Sequence, residues 1–532
     1  MTAKAQQVDT LFAEWRRSDG PGAVVAVVQN GGVIHQNAFG MASIEHGIPN
    51  ASSTRFRIAS VSKQFMVTVV MMLVAEGKLA LSDSLRQHDG ELAPWADNVT
   101  IRHALSMNSG MRDFLDVLDW SGTGFERAAS AADLRTFILA QRELNYPPGE
   151  MFIYTNTGFF LVNELIERIE NKPMAEVLIE RIFDPLGMDA TRLIGDWHEL
   201  VPDLATPHLK LPSGGYVRAG LGVPISCEGG LVSTLEDLLK WERNFSAPKV
   251  GSQAIFDEMA APTPYNNGTT ARYGMGLQRW DNRGQTAVSH GGLLPGFRTE
   301  FTRYPELGLS IIITCNVDAL DPHATARRIA EIYLGDKLRP IPAAPAKDNL
   351  AGHFGLYRCS ANDDLMEILW EDGEPRARRF GGNFPLLQDE PGVFQLMHGV
   401  FDMQLRFDAG PNRVNAAISG TPRSYERVER QTPPDPVLDS CVGTYRSDEL
   451  LADFVVRRGA KGLEMRVQGE LGREDYHLMP QTPDLFVAVQ AVPRYWYPFE
   501  PLIRFERDGG GAVTALVGTS DRGKNMRAPK TR

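Results

Sequence analysis

Apolar positions follow three rhythms along the chain. In "AVVAVVQNGGVIHQNAFG" a continuous apolar run stops at Asn30-Gly31-Gly32 and a second run follows, which predicts a strand, a turn and a strand. "LSIIITCN" reads as another buried strand. "KQFMVTVVMMLVAEGK" is apolar nearly all round and long enough for a buried helix, with Gly77 as its stop. "TGFFLVNELIERIEN" places Val162, Leu165, Ile166 and Ile169 at i, i+3, i+4 and i+7, the stripe of an amphipathic helix. Strands at both ends with helices between them predict an α/β domain whose sheet is closed by its N- and C-terminal strands.

Beyond about residue 335 the rhythm changes to short alternating runs such as "LEMRV" (Leu463 to Val467), split by Gly, Asp or Asn, the pattern of half-buried antiparallel strands. Two proline-rich stretches, "RPIPAAPAKDN" (Arg339 to Asn349) and "RQTPPDPV" (Arg430 to Val437), read as exposed linkers. They divide the chain into residues 1–335, 346–430 and 437–532. The two smaller segments look like copies. Gly355-x-Tyr357-Arg358 opens one and Gly443-x-Tyr445-Arg446 the other, and "AAISGT" (Ala416 to Thr421) matches "TALVGT" (Thr514 to Thr519) near their ends. Many short strands in a small domain must hide their edges, so each segment is expected to form an antiparallel β-barrel.

Composition narrows the function classes. A chain of 532 residues exceeds what one core serves, and 43% hydrophobic with 23% charged residues is ordinary for a globular protein. A net charge of −11 argues against nucleic acid as a partner, and the basic tail "RGKNMRAPKTR" is too small to reverse it. The start, "MTAKAQQVDTLFAEWRR", shows no secretory pattern, and the longest apolar run, Val67 to Ala75, is too short for a bilayer. No membrane partner is expected. Cys227, Cys315, Cys359 and Cys441 are scattered, which predicts neither a metal cluster nor a disulfide framework and leaves the cytoplasm as the default compartment.

Three short signals are candidates for one hydrolytic site: Ser-x-x-Lys, Tyr-x-Asn and His-x-Gly. Each also occurs elsewhere in the chain, at "SAPK" (Ser246 to Lys249), "YNN" (Tyr265 to Asn267), "HDG" (His88) and "HFG" (His353), so context must separate them. Ser60 and Lys63, in "RIASVSKQF", stand at the mouth of the buried helix, one turn apart on one face, whereas Ser62 points elsewhere. A serine hydroxyl needs a base to become a nucleophile, and a lysine serves as base where burial or a second cation lowers its pKa. The bland reading of Ser60 is a helix N-cap, compatible with the first because a helix N-terminus also favours an oxyanion. Tyr154 and Asn156 open another helix behind "YPPGE"; there a tyrosine can relay a proton and an asparagine can hold the lysine and a substrate carbonyl, or the pair is simply a half-buried Tyr and a cap. "TAVSHGGLLPGFRTEF" reads as a strand entering a glycine-rich edge where Gly291 and Gly292 admit a substrate backbone beside His290; the alternative is a hairpin turn with a bystander histidine. "GTSDRGKN" (Gly518 to Asn525) nearly spells a phosphate loop, but Asn525 replaces Ser/Thr and no helix pattern follows. There is no Gly-x-Ser-x-Gly elbow and no His-Glu-x-x-His zinc motif, so no metal or cofactor is expected.

The order and spacing of "SVSK", "YTN" and "HGG", with "IRHALSMNSGMRD", "YPPGEMFIYTNTGFF", "IFDPLGMDAT", "EGGLVSTLEDLLKW" and "YGMGLQRW", resemble the penicillin-recognising serine hydrolases, which include class C β-lactamases, DD-peptidases and related esterases. The whole chain looks more narrowly like the bacterial D-aminopeptidases of that family. This resemblance implies an α/β (α+β) β-lactamase-like catalytic domain followed by two antiparallel, lipocalin-like β-barrels. It implies that Ser60 is the nucleophile, Lys63 its base and Tyr154 the proton relay, with His290 where relatives carry a lysine. It implies an oxyanion hole formed by the N–H groups of Ser60 and of a residue just after Gly292, Leu293. A loop of the last barrel would supply an acid for the free α-amino group of the substrate; the matching stretch is "GELGREDYHLMPQ" (Gly469 to Gln481), with Asp475 the best match and Glu470 and Glu474 as neighbours. The bland alternative is a solvated acidic hairpin. The implied partners are small peptides or amides with a free N-terminus, and a homodimer is left open. The expected activity is release of an unblocked N-terminal D-residue; the alternatives are a promiscuous esterase or β-lactamase-like hydrolase, and a catalytically silent pocket protein.

Overall fold

The computed structural model describes residues 2–340, 346–390, 392–398, 401–407, 410–460, 462–492, 494 and 499–531. These form two compact units: Met1–Asp89 with Asp97–Met107 and Gly158–Pro340, and Gly90–Ala96 with Asn108–Thr157 and the chain after Pro340. Asn108–Thr157 groups with the residues after Pro340.

The first unit is built on a six-stranded antiparallel sheet in the order Gln278–Asn282, Gln285–Leu294, Phe297–Tyr304, Leu309–Cys315, Ala23–Gln29, Gly32–Phe39. Ala23 lies opposite Cys315 and Gln29 opposite Leu309, so the first strand is zipped along its length to the last. Both are buried along nearly their whole length because helices Leu235–Ser246 and Pro322–Leu334 pack against the sheet. The first hairpin turns on two residues, Asn30 at φ 50° and Gly31 at φ 76°, the type I′ signature, and Gly32 already belongs to the second strand. The buried helix runs Lys63–Ala75. It ends at Gly77 (φ 69°), where Gly77 N–H reaches the Val74 carbonyl and Lys78 N–H the Leu73 carbonyl, both at 3.0 Å.

In the second unit, helices Phe114–Trp120 and Ala131–Ala140 accompany two nearly closed antiparallel barrels. Among the described residues the first has nine strands between Gly355 and Val428, the second eight between Gly443 and Pro529. The second closes where Tyr445 bridges Lys530 and Thr531 N–H reaches the Thr444 carbonyl at 2.7 Å. The first barrel fills with inward side chains, among them Tyr357, Met366, Ile368, Phe394, Met403, Leu405 and Tyr425. The copies repeat in detail: Tyr357 OH donates to the carbonyl of His353 (2.8 Å) and Tyr445 OH to that of Cys441 (2.6 Å), each four residues upstream. "RQTPPDPV" is exposed apart from Pro433 and Val437 and runs into helix Asp435–Ser440, with Pro436 in its first turn where no amide is needed. In the other linker, 341–345 lie outside the described residues.

Candidate active site

Strand Phe56–Arg57 leads into a 3₁₀ turn, Ala59–Ser62, and the α-helix starts only at Lys63. Ser60 is therefore not the N-cap of that helix. The tighter coil, with three residues per turn, stacks i directly over i+3. Lys63 Nζ donates to Ser60 Oγ at 3.1 Å. Ala59, immediately before the serine, is held at φ 49°, a left-handed geometry that L-residues adopt only at a cost of about 1–3 kcal/mol. Ser62 serves the fold instead. Wholly buried, it donates to the Ala59 carbonyl (2.5 Å) and accepts the Leu231 amide (3.1 Å), pinning the turn to strand Leu231–Ser233.

The Lys63 amine also donates to the Glu228 carbonyl at 2.6 Å and lies 5.1 Å from the Phe159 ring centroid, so inside the fold it has a carbonyl and an aromatic face beside it. Glu228 is positioned in turn, its carboxylate accepting the Ser226 amide at 2.9 Å.

His290, Gly291 and Gly292 do not form a hairpin turn; they continue strand Gln285–Leu294, and the turn comes later at Pro295-Gly296. The outer strand ends at Gln278, opposite Ser289, so from His290 on this strand is the sheet edge on that side. It passes so close to the turn that carries Ser60 that a Cβ on Gly292 would stand 2.3 Å from the Ile58 carbonyl oxygen. Leu293, two residues beyond Gly291, is half-buried on the same edge. His290 is wholly buried, with Nε2 2.9 Å from Tyr273 OH and Nδ1 2.7 Å from the Gly291 carbonyl. A carbonyl only accepts, so Nδ1 carries the proton and Nε2 accepts from the tyrosine. Burial, reinforced by the nearby Lys63, lowers the imidazole pKa to about 3, and the ring is neutral at physiological pH.

Tyr154 and Asn156 belong to the second unit, just before helix Thr157–Glu170 begins. Asp113 holds this segment: one carboxylate oxygen accepts the Asn156 backbone amide (2.5 Å) and its side-chain amide (3.1 Å), the other caps helix Phe114–Trp120 through Leu115 N–H (2.9 Å). Thr157 Oγ1 accepts the Phe114 amide (2.9 Å) and donates to the Arg112 carbonyl (2.7 Å). The Arg522 guanidinium lies 5.1 Å from the centroid of the Tyr154 ring.

Gly469 to Gln481 is mostly not a loop. Strands Gly462–Gly469 and Arg473–Thr482 form a hairpin, and Asp475 sits within the second, directly opposite Arg466. Its carboxylate accepts Arg466 Nε (2.7 Å) and an Arg466 terminal nitrogen (3.1 Å), and this guanidinium holds the carboxyl below its ordinary pKa. Glu474 instead pairs with Arg494 at 3.2 Å, which also binds the buried Asp119. The sequence stretches noted above contained Asp113, Tyr273 and Glu228 but assigned them no role, because each acts through a partner brought up by the fold.

A serine hydroxyl held against a lysine amine inside the fold is equipped for acyl transfer, and the chain is a serine hydrolase. It belongs to the beta-lactamase family, whose profile matches residues 8–334. D-aminopeptidase from Brucella anthropi is 27% identical over 499 residues, covering 93% of each chain. D-aminopeptidase from Cereibacter sphaeroides is 26% identical over 531 residues with the same coverage. Among solved structures, the octameric penicillin-binding protein homologue from Pyrococcus abyssi shares the fold with a TM-score of 0.57 at 21% identity, covering 79% of this chain and 99% of its own. D-amino acid amidase from Ochrobactrum anthropi SV3 has a TM-score of 0.53 at 23% identity, covering 62% of this chain and 98% of its own. No helix among the described residues is long and apolar enough to cross a membrane.

Proposed function

We infer that the chain is a serine aminopeptidase that releases an unblocked, small N-terminal D-residue such as D-Ala from peptides, amides and esters. The acyl-transfer part rests on the 3.1 Å contact between Ser60 Oγ and Lys63 Nζ. Stereochemistry and the free-amine requirement rest on the D-aminopeptidases that match along nearly the whole chain. Ser60 Oγ attacks the scissile carbonyl carbon as its proton passes to Lys63, and the Ser60 and Leu293 amides receive the oxyanion. Collapse breaks the carbon–nitrogen bond, and the leaving nitrogen takes the proton through the Tyr154 hydroxyl. Water then adds to the acyl-Ser60 carbonyl, giving its proton back through the same groups, and the free D-residue leaves. Asn156 orients the substrate carbonyl, Gly292 lets its backbone approach, neutral His290 shapes the edge, and Asp475 receives the α-ammonium. The catalytic functions fall in residues 1–335 and the specificity acid in 437–532, with 346–430 between them. Four cysteines that form no disulfide support a reducing, cytoplasmic setting.

One observation favours a second reading. Asp475 is already engaged by Arg466, and without an acid for the amine the same machinery would be a less selective esterase or amidase. D-Ala-p-nitroanilide, its L-enantiomer, N-acetyl-D-Ala-p-nitroanilide and a p-nitrophenyl ester separate the two. Turnover of the free-amine D substrate and rejection of the L and acetylated anilides is expected; ester cleavage without that preference favours the second reading, and silence on all four sinks both.

A further inference from the structure

"GTSDRGKN" was a failed phosphate loop in the sequence. In the structure it is the end of strand Val513–Thr519 and the turn into strand Met526–Pro529 of the last barrel, and its polar groups are taken by the segment that carries Tyr154 and Asn156. The Arg522 amide donates to Asp116 (3.0 Å), and the Arg522 carbonyl accepts from the Asp113 amide (3.4 Å) and the Asn145 side chain (3.0 Å). Ser520 Oγ donates to the same Asp116 oxygen (2.7 Å) and accepts Trp120 Nε1 (3.2 Å). The Lys524 amide donates to Asn145 Oδ1 (2.7 Å). The turn is anchored from behind, since Asp521 pairs with Arg379 of the first barrel at 2.8 Å and Arg379 with the buried Asp364. Trp120 lies so close to the strand that a Cβ on Gly518 would stand 2.2 Å from its ring.

Asp113 and Asp116, which both meet this turn, stand at the start of one short helix. Asp116 lies about one helical turn after Asp113, and Asp113 is the residue that fixes both N–H groups of Asn156. The turn thus reaches the Tyr154-x-Asn156 segment twice: through the backbone, by Asp113, and through the side chain, by the Arg522 guanidinium over the Tyr154 ring. A guanidinium on the face of a phenol stacks on the ring and adds a positive charge beside its hydroxyl.

We propose that the turn Ser520–Asn525 is a positioning element for the catalytic tyrosine, with Arg522 as the residue that sets the Tyr154 ring. The proposal rests on the reading of Tyr154 as proton relay. It gives the last barrel a role in the chemical step, separate from any acid that recognises the substrate amine.

A double-mutant cycle tests it in the full-length protein: Arg522→Ala, Arg522→Lys, Tyr154→Phe and Tyr154→Phe with Arg522→Ala. On the p-nitrophenyl ester and on D-Ala-p-nitroanilide, Arg522→Ala is expected to lower kcat by about tenfold or more while KM moves by less than about threefold. Arg522→Lys, which keeps a cation over the ring, restores kcat to within about threefold of wild type. In the Tyr154→Phe background, Arg522→Ala adds less than about twofold, because its effect passes through the missing hydroxyl. A kcat within about twofold of wild type for Arg522→Ala, or a full additive loss in the double variant, overturns the proposal. If Arg522→Ala does not fold, as read by its thermal transition, Arg522→Met carries the same arms. The tyrosine ¹³Cζ resonance that disappears in Tyr154→Phe gives a readout without turnover. It is expected to shift in Arg522→Ala and to return toward its wild-type position in Arg522→Lys; an unmoved resonance overturns the proposal even if the wild type is silent on every substrate, an outcome that separately sinks the proposed function.

Discussion

Asp113 takes both N–H groups of Asn156 on a single carboxylate oxygen, at 2.5 and 3.1 Å, and uses its other oxygen to start the helix Phe114–Trp120. One side chain therefore fixes the Tyr-x-Asn segment and the helix beneath it. Asp113→Ala would leave three N–H donors without this acceptor in a buried site, at about 1–3 kcal/mol for each donor that finds no other partner. The expected outcome is a lower thermal midpoint together with a fall in kcat on any ester or amide that the wild type cleaves. A variant that melts earlier but keeps wild-type kcat would show that Asn156 needs no holding.

Ser60 and Ser62 separate cleanly. Ser60→Ala is expected to remove turnover and leave stability within about 0.5 kcal/mol, because the hydroxyl is half exposed and serves the lysine rather than the fold. Ser62→Ala is expected to keep the chemistry but lose about 1–3 kcal/mol, because the Leu231 amide and the Ala59 carbonyl lose their buried partner. Denaturant melts and initial rates on the same two preparations decide the matter; a dead, fully stable Ser62→Ala would reassign the nucleophile.

How much of this was legible in the sequence depends on the range over which each feature is encoded. The apolar runs at Ala23–Gln29 and Leu309–Cys315 declared two buried strands, and their pairing followed because a sheet with both faces covered has few other places for them. The Tyr357 and Tyr445 copies announced two related barrels. The 3₁₀ turn at Ala59–Ser62 was not legible, since alanine has no preference for φ 49° and the geometry is imposed by the strand alongside at Gly292. The Arg466–Asp475 pair depends on hairpin register, which the alternation alone left open. The contact of Ser520 with Asp116 spans 404 positions, and no local pattern encodes it.

Gly292 tests how tightly the sheet edge is set against the turn that carries Ser60. A methyl group there would stand 2.3 Å from the Ile58 carbonyl oxygen and 3.1 Å from Ala59 Cβ, both on a wholly buried backbone that cannot swing aside. Gly292→Ala is expected to push the strand from the turn, destabilise by about 1–3 kcal/mol and lower kcat, with the Leu293 amide displaced from the oxyanion. Gly31→Ala, where nothing lies within 4 Å but φ is 76°, is the control: it should cost stability through backbone strain and leave kcat alone. Equal effects on kcat would remove the argument from proximity.

Burial and the nearby Lys63 depress the His290 pKa from 6.5 to about 3, so the folded protein resists a proton that the unfolded chain accepts. The sign follows: above pH 6.5 both states are neutral and the residue adds no slope; between 6.5 and about 3 the unfolded state binds more protons, and this stability falls as pH falls. Asp119 works the other way, since burial raises its carboxyl to about 6 and the folded state holds a proton that the unfolded chain has lost. Its contribution is present at low pH and lost as pH rises through about 6. Because the two residues lie in different units, the first unit is expected to weaken on acidification over a range in which the second gains from Asp119. Imidazole ¹⁵N shifts of His290 should stay at their neutral Nδ1–H values from about pH 8 to about pH 5; a transition near 6.5 would show a ring open to solvent.

Asp475 decides between the narrow and the broad hydrolase. Its carboxylate faces Arg466 through two contacts on an adjacent strand, so to bind a substrate ammonium it must exchange one cation for another or share both. If it receives the amine, Asp475→Asn should raise KM for D-Ala-p-nitroanilide by about tenfold or more and leave the p-nitrophenyl ester of an uncharged acid unchanged, since only the charged substrate loses a partner. Arg466→Ala should then act in the opposite direction, lowering KM for the amine substrate by releasing the carboxylate. If Asp475 only ties its hairpin together, both variants lose a little stability and neither separates the two substrates. Steady-state kinetics of the two variants on the two substrates distinguishes these outcomes, and unchanged selectivity would move the search for the amine's partner to Glu470 or Glu474.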